Sequence, residues 1–290
     1  METNKIFNEL IEIGLSSEDT LEVFSKGTRD DKNLLVFKDK LSDIIFIKDH
    51  IVKKEIYHNQ REKIYDFPQE KHFKRTTNLE RRFKETKSFF YNKSVIDFGC
   101  GIGDFLCKIN PHTKECFGIE LGNNERSLLK RKGIKVFQTF DGIPCDSIDT
   151  IFAFHVMEHL PSQIEFLKKA FEKLKKGGEI YIEVPHARDF LISKLKNQAF
   201  IKNTLWSQHL ILHTSESLRR FLKICQFKNI TIKGVQRYSL SNHLYWLKNN
   251  KPSGHVNEFS FLDSESLSNC YEKNLSSVDL NDTLIATGVK

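Results

Sequence analysis

The chain has 290 residues, of which 39% are hydrophobic, and this composition supports a packed core and excludes an intrinsically disordered protein. Its formal net charge is +7, but the lysines are interleaved with 38 acidic residues, which favours solvated faces over a nucleic-acid-binding stripe. No apolar run reaches the length of a membrane span and no signal peptide is recognisable, so we expect a soluble, cytoplasmic protein without membrane insertion.

The first 93 residues differ in pattern from the rest of the chain. Residues 1–20 are predicted to form a short helix, and residues 34–36 and 44–46 are predicted to be the strands of a small hairpin. A helix predicted over 78–90 then leads into the remainder. The predicted parts are a small N-terminal helix and β-hairpin element over 1–60, a helical lead-in over 61–93 and a main domain over 94–290.

From residue 94 onward, predicted strands alternate with predicted helices, which is typical of an α/β protein with a parallel sheet. The predicted strands cover residues 95–98, 116–119, 135–138, 150–154, 179–184, 229–232 and 284–287. The segment 234–282, between the last two strands, is too long for a simple connection. We expect it to form either an insertion that covers the substrate or a peripheral helical decoration.

The most informative stretch joins the first of these strands to the next helix. Gly99, Gly101 and Gly103 alternate there, as in a tight turn whose backbone N–H groups face a ligand. A dinucleotide site has the spacing Gly-x-Gly-x-x-Gly, whereas here position 104 is Asp104. Asp97, two residues before the turn, would repel a pyrophosphate and attract a cation. The pattern therefore favours S-adenosylmethionine, a cationic nucleoside cofactor, over NAD.

Four ordered segments carry a family resemblance. They are DFGCGIG at 97–103, GIE at 118–120, DTIFAFHVMEHL at 149–160 and LKKGGEIYIEVP at 174–185. Together they resemble the class I S-adenosylmethionine-dependent methyltransferases, in the branch that acts on small molecules and sugars. The resemblance implies a transferase of class EC 2.1.1. It also implies a Rossmann-like sheet of seven strands, mostly parallel, whose antiparallel last strand lies beside the fifth.

The resemblance also implies roles for individual residues. The glycine turn would hold the methionine part of the cofactor, Asp97 would bind its ammonium group and Glu120 would bind the ribose. Asp97 could instead cap the turn. Leu121, Phe140 and Asp141 would contact the adenine. The other cofactor-binding positions are Cys100 in the turn and Phe154 and His155 beside the sulfonium.

Methyl transfer to a hydroxyl group requires alignment and benefits from a general base. The candidates that follow the fourth and fifth predicted strands are His155, Glu158, His159 and His186. His159 could equally brace its loop, and His209 and His213 are predicted to be structural. Because no spacing of Asp, Glu and His marks a metal site, we predict a metal-independent reaction.

The sequence says less about the methyl acceptor. The Asn/Asp/Ser-Pro-Pro-aromatic motif of enzymes that methylate nucleic-acid amino groups is absent, and AFHV at 153–156 stands in its place. The N-terminal hairpin resembles elements that precede bacterial surface-sugar and natural-product methyltransferases. We therefore expect O-methylation of a small molecule or sugar, and no nucleic-acid partner. An RNA methyltransferase and a non-catalytic interaction module are the alternatives, and the oligomeric state is not predicted.

Overall fold

A computed structural model describes residues 2–48, 50–52, 69–253 and 256–290. The described strands are β1 (Glu2–Thr3), β2 (Leu21–Ser25), β3 (Val36–Asp39), β4 (Ile45–Phe46), β5 (Ile51–Val52), β6 (Ser94–Phe98), β7 (Glu115–Ile119), β8 (Lys135–Phe137), β9 (Ile148–Phe154), β10 (Leu174–Pro185), β11 (Ile211–Leu212), β12 (Lys228–Val235) and β13 (Thr283–Val289). Their alternation with helices from β6 onward agrees with the predicted α/β class.

The described α-helices are α1 (Ile6–Glu12), α2 (Gln69–Glu85), α3 (Lys87–Phe90), α4 (Asp104–Ile109), α5 (Asn123–Arg131), α6 (Gln163–Lys173), α7 (Phe190–Ser193), α8 (Gln198–Thr204), α9 (Ser215–Ile224), α10 (Leu240–Asn249) and α11 (Glu265–Ser277). The single helix predicted over 78–90 is divided into α2 and α3 at Thr86, whose hydroxyl donates to Arg82 O (2.7 Å). None of these helices combines the length and the apolar character that crossing a bilayer requires.

The main sheet has seven strands in the order β12-β13-β10-β9-β6-β7-β8. Strands β6 to β10 pair in parallel, and β13 lies antiparallel between β10 and β12. This topology confirms the predicted Rossmann-like sheet with its antiparallel last strand beside the fifth. Strand order reverses between β9 and β6, so the loops after these two strands diverge and leave a crevice at the carboxyl edge.

Alternate side chains of the central strands are buried on opposite faces of the sheet. Ile96 and Ile151 belong to a hydrophobic cluster that includes the inward side chains of α6 and α9. Val95 and Phe152 belong to a second cluster on the other face, where Phe105 of α4 packs edge-on against Phe152 (5.2 Å between ring centroids). Each large side chain buried in this way stabilises the fold by about 1.5–3 kcal/mol.

The N-terminal part differs from its prediction. The helix expected over 1–20 is limited to α1, and a 3₁₀ turn follows at Glu18–Thr20. In place of a two-stranded hairpin, β2, β3 and β4 form a four-stranded sheet with β11, in the order β11-β4-β3-β2. β11 belongs to the connection between β10 and β12, and a strand of two residues is too short to leave a periodic pattern in the sequence.

The proposed division of the chain at residues 60 and 61 falls outside the described residues. Within the described part, α1 is joined to the start of α6 by a buried carboxylate. Glu9 accepts hydrogen bonds from Gln163 N (2.8 Å) and from the Ser162 hydroxyl, and Lys5 N donates to Pro161 O (2.7 Å). Since the first N–H groups of a helix lack partners within it, Glu9 supplies part of the N-terminal cap of α6.

We expect Gly103→Ala to destabilise the protein more than Gly133→Ala. Both glycines have left-handed backbone, with φ of +77° and +75°, so each alanine costs about 1–2 kcal/mol in strain. A Cβ at position 103 would also lie 2.1 Å from Cδ2 of buried Leu129, whereas one at position 133 meets nothing within 4 Å. Crowding of this kind costs about 1–3 kcal/mol more. The free energy of unfolding of both variants is measured by urea denaturation. Equal losses of stability would show that Leu129 moves aside without cost.

Candidate active site

The glycine turn after β6 provides an open backbone surface. Gly99, Gly101 and Gly103 have φ values of +71°, +55° and +77°. A Cβ at Gly99 would lie 2.5 Å from Val156 Cγ2, so this glycine is required by the close approach of the loop after β9. A Cβ at Gly101 would meet nothing within 4 Å, so the space over the middle of the turn is open. The turn therefore has room for a ligand against its main chain.

Two buried carboxylates flank this turn. Asp97, at 4% exposure, lies in β6, and Glu120 follows β7. Burial, together with the nearby charge of Glu120, raises the pKa of Asp97 to about 7 against the opposing charge of Arg82. Glu120 Oε2 accepts from Gly101 N (2.8 Å) and Glu120 Oε1 accepts from Gly122 N (2.9 Å). The pair concentrates negative charge beside the open backbone, which is suited to a cationic ligand. Binding of ammonium by Asp97 and ribose by Glu120 stays a prediction.

The other predicted cofactor residues divide into surface and core positions. Leu121 is 43% exposed beside Glu120, and Asp141 is exposed, its carboxylate accepting from the Thr139 hydroxyl (2.8 Å). Phe140 is buried and stacks on Phe98 (5.1 Å between centroids), so its ring belongs to the core. A contact of Phe140 with the adenine stays a prediction.

Two of the remaining three, Cys100 and Phe154, are partly buried. The Cys100 thiol lies 4.0 Å from Gly101 O, and burial raises its pKa, so it is a neutral packing group beneath the turn. Phe154 packs edge-on against Phe105 (4.8 Å between centroids), and the Arg82 guanidinium lies 4.4 Å from the centroid of its ring. The ring of Phe154 thus links the end of β9 to α2.

His155 begins the loop after β9 in a left-handed conformation, with φ of +52°. Its Nδ1 lies 3.3 Å from Glu158 Oε1, and its Nε2 lies 2.8 Å from Arg237 Nη1 and 3.1 Å from Glu183 Oε1. A guanidinium can only donate, so Nε2 accepts from Arg237 and Nδ1 carries the proton that it donates to Glu158. Both ring nitrogens are therefore engaged, and His155 must break the contact with Arg237 before it can accept a proton.

Glu183 in β10 is the centre of this network and is fully buried. Arg81 Nη2 and Arg82 Nη2 each donate to its carboxylate at 2.7 Å. Burial alone would raise the pKa of Glu183, but the charges of Arg82 and Arg81 hold it well below its usual range. Sequence analysis missed these residues, although an acid inside the apolar run IYIEVP was a usable signal, because a buried carboxylate requires partners.

A cavity of about 310 Å³ opens at the carboxyl ends of β9 and β10. The loop after β9 contributes His155, Glu158 and His159 to its wall, and His186 follows β10. The predicted insertion contributes another part of the wall. Its lining residues include Arg237, Tyr238, Asn242, Trp246 and Pro252.

The structure thus brings the four predicted general-base candidates to one cavity, and their catalytic roles stay predictions. Burial raises the pKa of Glu158, but the hydrogen bond from His155 and the nearby histidines lower it to about 2, so this group is a carboxylate at neutral pH. His159 Nδ1 donates to Gln208 O (2.7 Å), which agrees with the bracing alternative. His186 is buried, and its Nδ1 donates to Asn281 O (3.0 Å).

Comparisons with known proteins bear on this site. Residues 55–232 match a family model described as Methyltransferase domain. Among solved structures, the chain is similar to a SAM dependent methyltransferase from Archaeoglobus fulgidus, with a TM-score of 0.52 and 18% identity, covering 82% of this chain and 100% of that one. At this identity the likeness establishes a shared fold.

Among curated proteins, the chain is similar to a tRNA U34 carboxymethyltransferase from Shewanella frigidimarina, with 25% identity over 193 residues (58% of this chain, 54% of the relative). It is also similar to a protein of the same name from Histophilus somni, with 27% identity over 188 residues (54% of this chain, 53% of the relative). The chain spans about half the length of the curated relatives it matches.

These relatives correct one expectation. We expected a small-molecule or sugar acceptor and no nucleic-acid partner, and this was wrong, because the curated relatives are named for action on tRNA. The expectation depended on the absence of a motif that marks enzymes methylating nucleic-acid amino groups. That absence does not exclude other positions on a nucleic acid.

The affinity for S-adenosylmethionine is expected to fall below about pH 7. Asp97 must be ionised to bind the cofactor's ammonium group, and burial raises the pKa of Asp97 to about 7. Below that value, the affinity should drop by about tenfold for each pH unit, because the ionised fraction of Asp97 drops by about tenfold. The affinity is measured by isothermal titration calorimetry from about pH 5.5 to about pH 8.5, a range that brackets this pKa.

Asp97→Asn serves as the test variant, and it should bind weakly with a flat pH profile. Asp146→Asn is the control, because Asp146 precedes β9 at the opposite edge of the sheet. An unchanged affinity and pH profile in Asp97→Asn would remove Asp97 from the cofactor site.

Proposed function

We propose that this chain, which belongs to the methyltransferase-domain family, acts on an RNA. Specifically, we propose a tRNA that inserts one nucleotide into the cavity. The family match supports the predicted S-adenosylmethionine-dependent methyltransferase of class EC 2.1.1. The observation that carries the RNA proposal is a cavity of single-nucleotide size at the carboxyl ends of β9 and β10, whose wall includes aromatic and cationic side chains.

The position of the cavity is compatible with in-line methyl transfer. The loop after β9 contacts the glycine turn through Val156 and lines the cavity through His155 and Glu158. A cofactor over the turn and an acceptor in the cavity would therefore share this loop as a wall. Holding the two reactants in such an arrangement is the main task in a displacement at an activated methyl group.

The size of the cavity favours a single nucleotide over a folded segment of RNA. About 310 Å³ lies at the small end of ligand pockets. Enzymes that modify a base extrude it from its stack into a pocket of this kind, where aromatic side chains contact its face. Phe200, Tyr238 and Trp246 line the cavity and supply such surfaces.

Cationic groups at the same cavity suit a phosphodiester. Arg29 and Arg237 both line it, and Arg29 packs 4.6 Å from the ring centroid of Trp206. Arg237 donates from its backbone N to Asp282 Oδ2 (2.8 Å) and contacts His155, so its position is defined. The net charge of +7 favours association with a polyanion in general.

The remaining part of the proposal concerns the 234–282 segment. This segment contains α10 and α11, and it contributes Arg237, Tyr238 and Trp246 to the cavity wall. We therefore favour a substrate-covering insertion over a peripheral decoration. The similarity to tRNA U34 carboxymethyltransferases supports the class of acceptor.

The protein is expected to transfer label from S-adenosylmethionine to intact tRNA. Full-length protein is incubated with methyl-labelled cofactor and total tRNA, with the same tRNA digested to nucleosides, and with nucleotide sugars. Transfer to intact tRNA should decline steeply as salt rises, because phosphate contacts release counterions. Mass spectrometry of the nucleosides identifies the product and the group transferred. Label in a nucleotide sugar but none in tRNA would contradict the proposal.

Tyr238→Ala is expected to reduce kcat/KM for tRNA by about 5-fold to 150-fold, the loss that corresponds to one base–aromatic stack of about 1–3 kcal/mol. Tyr238→Phe keeps the ring and should retain most activity. The dissociation constant for S-adenosylmethionine should be unchanged in both variants. Equal losses in the two variants would show that the hydroxyl group acts and that stacking does not.

A further inference from the structure

We propose that Glu158, His159 and His209 form a binding site for a first-row divalent transition-metal ion in the wall of the cavity. One ligand atom from each side chain lies within 4.8 Å of the others. The sequence predicted no metal, because His209 is far from the Glu158–His159 pair along the chain and was assigned a structural role. The fold brings it to the pair, since Leu210 N donates to Glu158 O (2.9 Å).

The two imidazoles are oriented as metal ligands commonly are. His159 Nδ1 donates to Gln208 O (2.7 Å), and His209 Nδ1 donates to Thr204 O (3.0 Å). A nitrogen that donates to a carbonyl carries the hydrogen, so the lone pair of each ring is on Nε2. Backbone carbonyls that fix the tautomer in this way are typical of the groups behind metal-ligating histidines.

The carboxylate of Glu158 supplies the third ligand. Its side chain is 1% exposed, and Oε2 is buried without a hydrogen-bond partner in the described structure. A buried polar atom left without a hydrogen-bond partner destabilises the folded state. Oε1 lies 3.9 Å from His159 Nε2, so the carboxylate faces the imidazoles. A bound cation would satisfy the unpartnered oxygen and compensate the buried charge.

The two arginines that line the cavity have partners of their own. Arg237 contacts Asp282 and His155, and Arg29 stacks on Trp206. His155 donates one hydrogen bond to Oε1 of Glu158, which leaves a lone pair on Oε1 and the unpartnered Oε2 of the described structure available as metal ligands.

Two imidazoles and one carboxylate select among metals. This set favours Zn²⁺, Co²⁺, Mn²⁺ or Fe²⁺ over Mg²⁺ and Ca²⁺, which prefer oxygen ligands. Three protein ligands also leave open coordination positions, as in catalytic sites. In the wall of an acceptor cavity, the metal ion would bind an acceptor oxygen or a water at such an open position and would act as a Lewis acid. The site itself does not depend on RNA being the acceptor.

Metal binding is measured on tag-free, full-length protein after chelator treatment. Equilibrium dialysis against Zn²⁺ or Co²⁺ with elemental analysis should give one equivalent that Mg²⁺ does not displace. The visible spectrum of the Co²⁺ form should show the bands of cobalt bound to nitrogen and oxygen. His209→Ala and Glu158→Gln should each weaken binding by at least about tenfold. The matched control is His112→Ala, an exposed histidine that should bind like the wild type.

Wild-type stoichiometry and affinity in His209→Ala would overturn the proposal, as would a wild-type protein that binds no equivalent of either ion. Each variant is first checked for folding by circular dichroism and for S-adenosylmethionine binding. If a variant unfolds, the Co²⁺ titration of the wild-type protein decides, and the absence of ligand-field bands at one equivalent overturns the site. Metal binding is measured without RNA, so its failure is distinct from a failure of tRNA methylation.

Discussion

The buried carboxylate of Glu183 is the constraint on which the carboxyl edge of the sheet depends. A fully buried charge must be compensated, and removing one partner of such a group costs about 3–5 kcal/mol. Glu183 obtains its partners from two elements: Arg81 and Arg82 in α2 donate to its carboxylate, and the backbone N of His155, after β9, donates to its carbonyl oxygen. One ionic cluster therefore fixes α2 against the sheet and determines where the loop after β9 begins. Arg237 joins the predicted insertion to the same cluster through His155.

This arrangement couples sites that the chain keeps apart. The loop that starts at His155 packs on Gly99 through Val156, lines the cavity and carries Glu158 and His159. The left-handed backbone of His155 is sparsely populated for a residue with a side chain, and it is maintained by the contacts of its ring. The glycine turn, the cavity and two of the proposed metal ligands thus meet at one short segment, so a displacement of this loop would affect all three.

Our incorrect prediction of the acceptor class shows that the absence of one specific motif is weak evidence. A Pro-Pro-aromatic motif identifies one chemistry on nucleic acids, and AFHV at 153–156 excludes only that chemistry. Likewise, lysines interleaved with acids along the chain say little about where charge gathers in three dimensions. Arg29 and Arg237 are distant in sequence, and both reach the same cavity.

The sequence by itself determined the α/β fold with its seven-stranded sheet and the place of the glycine turn. Strand–helix periodicity and the glycines at 99, 101 and 103 are local signals, because they reflect backbone geometry and burial over a few residues. The pairing of β4 with β11, the partners of Glu183 and the approach of His209 to Glu158 were decided only by tertiary structure. Each joins residues distant in the chain, and a contact that depends on packing leaves no periodic pattern in a single sequence.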